Sequence, residues 1–157
     1  RFRALWTAIT TATHCLRALR ALRRRKGMTY QELRRLELKK QAGAQFVQTQ
    51  PVYDLRQAEA YLAGTAELNL PVLFGVLPLK SYKMALYLHD KVPGITIPKP
   101  LQDAMADGGR DTGIAIAADT VKALREMGAA GVHLLPINDV PAVGEIARQA
   151  GMAPKQL

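Results

Sequence analysis

Leu36-Glu37-Leu38-Lys39-Lys40-Gln41-Ala42-Gly43-Ala44-Gln45-Phe46-Val47-Gln48-Thr49-Gln50-Pro51 decides the fold, because a helix end, a glycine stop and a short strand follow one another within sixteen residues. Leu33 and Leu36 share one side of a helix over 30–42, and Gly43 stands where the left-handed conformation that closes many helices needs glycine. Residues 45–50 then read as a strand, stopped by Pro51. The same order returns downstream, as a helix over 113–127, Gly128 and Gly131 about a turn, and a strand over 132–137. Between the two lie a helix over 55–63, a strand over 72–77 bounded by Pro71 and Pro78, and helices near 80–90 and 98–106. A last helix over 141–150 ends before Gly151. Strands alternating with helices of this length predict parallel β/α units. Three strands cannot close a barrel, which needs eight strands and roughly 250 residues. A small open sheet and a piece of a barrel both fit the pattern.

Charge divides the chain more sharply than hydropathy does. The net charge is +9, yet residues 1–40 hold twelve Lys or Arg against Glu32 and Glu37, so the remainder is close to neutral. Residues 1–26 contain no acid and end in Arg23-Arg24-Arg25-Lys26, with Leu16, Leu19 and Leu22 spaced along one side of a helix. Three readings fit: a basic amphipathic helix for RNA or an anionic surface, a targeting leader, or an untidy start ahead of a domain. Arg1 in place of an initiator methionine favours the last. The expected division is a basic helical or disordered segment over 1–27, unassigned in function, and an α/β unit over 28–157. No run of about eighteen apolar residues occurs, so no membrane-spanning helix is expected. Cys15 is the only cysteine, which excludes an internal disulfide and fits a reducing, cytoplasmic setting.

A strand buried on both faces should be apolar, and 45–50 is not. Phe46, Gln48 and Gln50 fall on one face, Val47 and Thr49 on the other. An unpaired buried amide costs about 1–3 kcal/mol, so Gln50 needs a partner. At the C-terminal end of a parallel strand that partner is either a neighbouring loop or a ligand. The histidines His14, His89 and His133 lie on unrelated segments without the spacing of a metal pair, and His133 reads as a satisfied interior residue. There is no Gly-x-Gly-x-x-Gly or Walker loop and no visible nucleophile triad.

Gln48-Thr49-Gln50-Pro51-Val52-Tyr53-Asp54 resembles the Thr-Gln-(Pro/Phe)-(Val/Phe)-(Tyr/Phe)-Asp element of methylenetetrahydrofolate reductases. The helix end Leu36 to Ala44 is similar to that family's "Leu, basic pair, Ala-Gly-Ala" segment. Gly75-Val76-Leu77-Pro78-Leu79-Lys80-Ser81 resembles its Gly-(Ile/Val)-(Leu/Met)-Pro-x-x-Ser stretch, and Lys91-Val92-Pro93-Gly94-Ile95 and Gly131-Val132-His133-Leu134 follow in order. The resemblance covers about residues 32–151. It implies a partial (β/α)8 barrel of the TIM type, these strands being the last three. It also implies FAD, reduced by NADH or NADPH, and reduction of 5,10-methylenetetrahydrofolate to 5-methyltetrahydrofolate in one-carbon and methionine metabolism.

By position, Gln50 matches the glutamine that meets the folate pterin and the nicotinamide, and Lys39 a lysine near the flavin phosphates. Glu32 replaces an aspartate of the flavin ribose region, and Arg35 an asparagine of the flavin site. Met84 stands for a folate-binding glutamine and Leu88 for a stacking phenylalanine. Asn138 is kept, while Asp139 replaces an arginine near the folate tail or nucleotide. The resemblance puts the family's general acid, and the aspartate that tunes its flavin, on earlier strands, and residues 1–27 contain neither. Three expectations follow: a reductase incomplete in this chain, a half-barrel that needs a complementary chain or another copy of itself, or nucleic-acid binding through the basic end.

Overall fold

The computed structural model describes residues 30–152, so the basic segment and every reading placed on residues 1–26 lie outside the described residues. Among the described residues, six α-helices, one 3-10 turn and three strands follow in the order α1 (Tyr30–Gln41), β1 (Val47–Pro51), α2 (Leu55–Thr65), the turn Ala66–Leu68, β2 (Val72–Val76), α3 (Tyr82–Lys91), α4 (Lys99–Asp107), α5 (Arg110–Glu126), β3 (Gly131–Leu134) and α6 (Pro141–Gln149). The three strands form one parallel sheet in the order β1-β2-β3.

Local chemistry accounts for most of these boundaries. Gly43 takes φ +99° and Gly128 φ +83°, so both supply the left-handed residue that terminates α1 and α5. Ser81 caps α3 by accepting a hydrogen bond from the Met84 backbone N–H, and the Asp54 carboxylate caps α2 through the Arg56 N–H. The expected helices at 30–42, 55–63, 80–90 and 98–106 fall where the structure has α1 to α4, within one or two residues at each end. Helix α5 begins three residues earlier than its pattern suggested.

The strands differ more, and each difference has a cause. Strand β1 runs over Val47–Pro51 rather than 45–50, with Phe46 left about half exposed ahead of it. Pro51 closes the ladder from within, paired with Gly75 across an irregular register between Gln48 and Pro51. Strand β3 takes in Gly131 and stops at Leu134, because Pro136 and the turn after it leave the sheet.

The central strand β2 is buried at all five positions, as a parallel strand covered on both faces should be. Val72, Phe74 and Val76 join Val47, Val132 and Leu134 in one core with the apolar faces of α1, α2, α5 and α6. Alternation therefore puts Leu73, Gly75 and His133 on the opposite face. A second core, built from Tyr53, Leu77 and Leu79 with Ala85, Leu88, Ile95, Ile97 and Met105, packs the α3–α4 pair over the segments that leave the C-terminal ends of β1 and β2. Leu88 is thus a core residue. Gly113 makes the join close, since a Cβ there would meet the Leu79 carbonyl oxygen at 1.6 Å. Among the described residues, no helix is long and apolar enough to cross a membrane.

Candidate functional site

Because the strands are parallel, Gln50, the Leu77–Ser81 segment and the Leu135–Asp139 segment all emerge on one side of the sheet. There β1 departs from regular pairing. The Gly75 N–H donates to Thr49 Oγ1 at 3.1 Å, and that hydroxyl donates to the Gln50 carbonyl at 2.8 Å. The Thr49 carbonyl accepts from His133 Nε2 at 2.9 Å, a bond that reaches from β3 over β2 to β1. Glycine at 75 is what permits this crossing. A Cβ there would lie 2.8 Å from the Thr49 oxygen and 2.9 Å from the Gln50–Pro51 peptide.

The Gln50 side chain ends in a buried Oε1 that has no hydrogen-bond partner among the described residues. Gln50 borders a cleft of about 30 Å³ together with Val52, Gln57, Tyr61, Phe74 and Gly94. That space holds a water or two. Tyr61 lies edge-on to Phe74 at 6.0 Å between ring centres, and its phenol is pushed up to about 12, first by burial and then by the charge of Glu32. Tyr53 donates from its hydroxyl to the Leu77 carbonyl at 2.9 Å, and burial pushes that phenol well up.

The other expected site residues are distributed as follows. Met84 opens α3 and packs, half-buried, against the second core. Asn138 is exposed at φ +54°, third in a turn closed by the Asp139 N–H to the Pro136 carbonyl. Asparagine tolerates this conformation better than most residues, so the turn alone accounts for its identity. Glu32, Arg35 and Lys39 lie three and four residues apart on α1 and form one stripe. Within it Glu32 is 6% exposed and acts on Tyr61, Arg35 is exposed, and Lys39 is half-buried in the last turn. That last turn leads into the start of β1, so the structure groups Gln50, Met84 and Asn138 on one side of the sheet and leaves Lys39 towards the other.

Asp139 is engaged as well. Arg110, at the start of α5, grips its carboxylate through Nε at 2.7 Å and a terminal nitrogen at 3.0 Å, and also binds Glu145 at 2.8 and 3.2 Å. Both carboxyls are held below their ordinary values by the guanidinium. Lys80 donates to the Ile137 carbonyl and joins the two loops. The anion that replaces an expected arginine therefore comes with an arginine from another element. Sequence reading passed over Thr49, Lys80 and Arg110. A signal existed for Arg110 alone, since a cation at a helix N-terminus opposes the helix dipole and calls for a tertiary partner. Among the described residues, no cluster of His, Cys, Asp or Glu could hold a metal ion.

The family model described as methylenetetrahydrofolate reductase matches residues 14–151. A curated relative, methylenetetrahydrofolate reductase 1 of Schizosaccharomyces pombe, is 24% identical over 135 residues, which are 81% of this chain and 22% of the relative. A solved structure is similar at TM-score 0.51 and 20% identity, covering 77% of this chain and 47% of its own. That structure is of an uncharacterized protein from Clostridium thermocellum that binds two copies of 5-methyl-5,6,7,8-tetrahydrofolic acid. The chain thus spans about a fifth of the curated relative and less than half of the solved one.

Proposed function

Because the chain belongs to the methylenetetrahydrofolate reductase family, we propose that it carries the folate-facing part of a flavin-dependent reductase that converts 5,10-methylenetetrahydrofolate to 5-methyltetrahydrofolate. The observation that carries the reading is the Gln50 amide, whose buried oxygen has no partner among the described residues at the C-terminal end of a parallel strand. A primary amide offers a donor pair and an acceptor side by side, which matches the amide-like edge of a pterin. The 5-methyl-5,6,7,8-tetrahydrofolic acid bound by the similar Clostridium thermocellum protein supports the same ligand class. On this reading the sheet is three strands of a (β/α)8 barrel, Met84 and Asn138 flank the folate, and the chain resides in the cytoplasm.

FAD belongs to the proposal through α1. Lys39 forms no ion pair among the described residues and Arg35 is exposed, so two cations on one stripe fit the flavin phosphates. Glu32 fits less well, because it is turned inward towards Tyr61 rather than outward to a ribose. Bound flavin, reduced by NADH or NADPH, would supply the hydride. The residues of this chain would orient the pterin through Gln50 and balance the phosphates through Lys39.

The test has two readouts. The purified chain is incubated with FAD, freed of unbound flavin by gel filtration, and assayed for a visible flavin band that Lys39→Ala should weaken. Equilibrium dialysis against 5-methyltetrahydrofolate should show retention that Gln50→Ala lowers about fivefold to tenfold, the worth of one good hydrogen bond. A colourless protein that retains no folate would sink the proposal.

One further observation favours a second reading. Leu38 and Phe46 are exposed on the approach to β1, and Ile137 and Val140 on the exit from β3. Apolar surface on both flanks of the sheet suits a half-barrel binding module that docks with a complementary chain or with another copy of itself.

A further inference from the structure

We propose that His133 is a positioning residue for Gln50, holding the peptide plane before Gln50 through its Nε2–H bond to the Thr49 carbonyl across the side-chain-free gap at Gly75.

The inference rests on the reading of Gln50 as the folate-contacting amide, and it deepens that reading. The direction in which a side chain leaves the backbone is set by the two peptide planes that flank its Cα. In a regular strand the ladder hydrogen bonds hold both planes. At Gln50 the register of β1 against β2 shifts, and side chains join in holding the planes. The preceding plane is fixed at the Thr49 oxygen by His133, 2.9 Å away, and the following plane at the Gln50 oxygen by the Thr49 hydroxyl, 2.8 Å away. Pro51 has no N–H to offer, and as the residue after Gln50 it narrows the conformations open to Gln50.

Three features make the arrangement specific. The Gly75 N–H donates to Thr49 Oγ1, so the hydroxyl is oriented with its own proton towards Gln50. Gly75 is paired in register with both Pro51 and His133, which puts a residue without a side chain where the imidazole must cross. The Thr49 carbonyl is only an acceptor, so Nε2 carries a proton. The histidine is half-buried, and its Nδ1 forms no hydrogen bond among the described residues. The bond therefore selects the Nε2–H tautomer of the neutral ring beside the amide proposed to read the pterin.

The test uses the whole chain, labelled with nitrogen-15, and the variants His133→Phe, His133→Gln, Gln50→Ala and the double variant His133→Phe/Gln50→Ala. In the unaltered protein, at a pH where the imidazole is neutral, its correlations should show the proton on Nε2 rather than on Nδ1. The opposite tautomer overturns the proposal, whether or not any variant folds. His133→Phe fills the space without a donor and should shift or average the Gln50 side-chain amide pair. His133→Gln restores a donor and should leave that pair near its original position. An unmoved Gln50 pair in His133→Phe overturns the proposal. Dialysis against 5-methyltetrahydrofolate adds the coupling. His133→Phe should weaken retention about fivefold to tenfold, and should add nothing further in the Gln50→Ala background. Additive losses would show that His133 acts apart from Gln50. If the unaltered protein retains no folate, the proposed function fails, while the tautomer and the Gln50 resonances still decide the role of His133.

Discussion

Gly75 shows how much can depend on a missing side chain. Its neighbours in β2 are all large and apolar, and the strand is buried throughout, so propensity alone would put a valine or isoleucine there. The backbone of β1 forbids it, since a Cβ would sit 2.8–2.9 Å from three main-chain atoms that belong to a pinned segment. Gly75→Ala should therefore destabilise the fold by about 1–3 kcal/mol, the usual cost of overpacking, instead of gaining from reduced chain entropy. Urea unfolding of both proteins measures this, and an unchanged midpoint would contradict the close approach. At this scale the sequence was readable in part. Gln50 stood out because a polar residue interrupted a strand that should be apolar. Thr49 and His133 did not, because a bond between residues 84 apart leaves no periodic trace. His133, read as a satisfied interior residue, is half-buried and, among the described residues, bonded through Nε2 alone. Asn138 illustrates the converse: its left-handed backbone gives it a structural reason that spacing alone could not supply.

Helices and strands were more legible than their limits. Glycine and proline punctuate the chain at 43, 71, 78, 128 and 151, and hydrophobic spacing fills the intervals, so every element except the 3-10 turn was anticipated. Limits moved where a tertiary partner outweighed the local signal. Helix α5 is the clearest case. Arg110 is an unfavourable opening residue for a helix, yet α5 starts there because Asp139 and Glu145 meet the guanidinium from the β3–α6 connection and from α6. This contact joins three elements and predicts an acid-dependent term in stability. Both carboxyls lie lower in the folded chain than their ordinary values of 3.8 and 4.5, held there by Arg110. A lowered carboxyl stabilises above its unfolded value, and that stabilisation is lost as pH falls through the folded value. Arg110→Gln should therefore lower stability at neutral pH and flatten its decline below about pH 5, where the unaltered chain is losing the contact. Parallel thermal-unfolding curves from neutral to acid pH would show that the network contributes nothing. Gly113→Ala tests the neighbouring join, because its Cβ would overlap the Leu79 carbonyl and force α5 off the strand end. A loss of about 1–3 kcal/mol or more is expected in urea unfolding.

For the molecule as a whole, the deciding fact is that a parallel sheet of three strands has two edges. Strands β1 and β3 each pair with β2 alone among the described residues, so one side of each presents backbone groups that a closed barrel would satisfy. The apolar surface is placed to match. Phe46, 48% exposed, leads into one edge strand, and Val140, 74% exposed, follows the other. A sheet built to stand alone commonly blunts its edges with charge, proline or a covering loop. Pro51 blunts one end of β1, while Phe46, Ile137 and Val140 leave exposed apolar side chains beside the edges. Sequence pattern could say only that three strands do not close, because an edge is a property of neighbours and not of a strand. The 157-residue chain by itself should consequently associate in a concentration-dependent way, either through its edges or through the apolar flanks. Sedimentation velocity across a wide range of concentration measures this. Phe46→Lys with Val140→Lys should shift the distribution towards monomer while leaving the far-ultraviolet circular dichroism unchanged, because neither side chain belongs to the two cores. Association that persists in the double variant would point to the bare strand edges. A sharp, cooperative unfolding transition from a monomer at every concentration would mean that three β/α units satisfy themselves, and it would remove the main physical reason to expect a complementary chain.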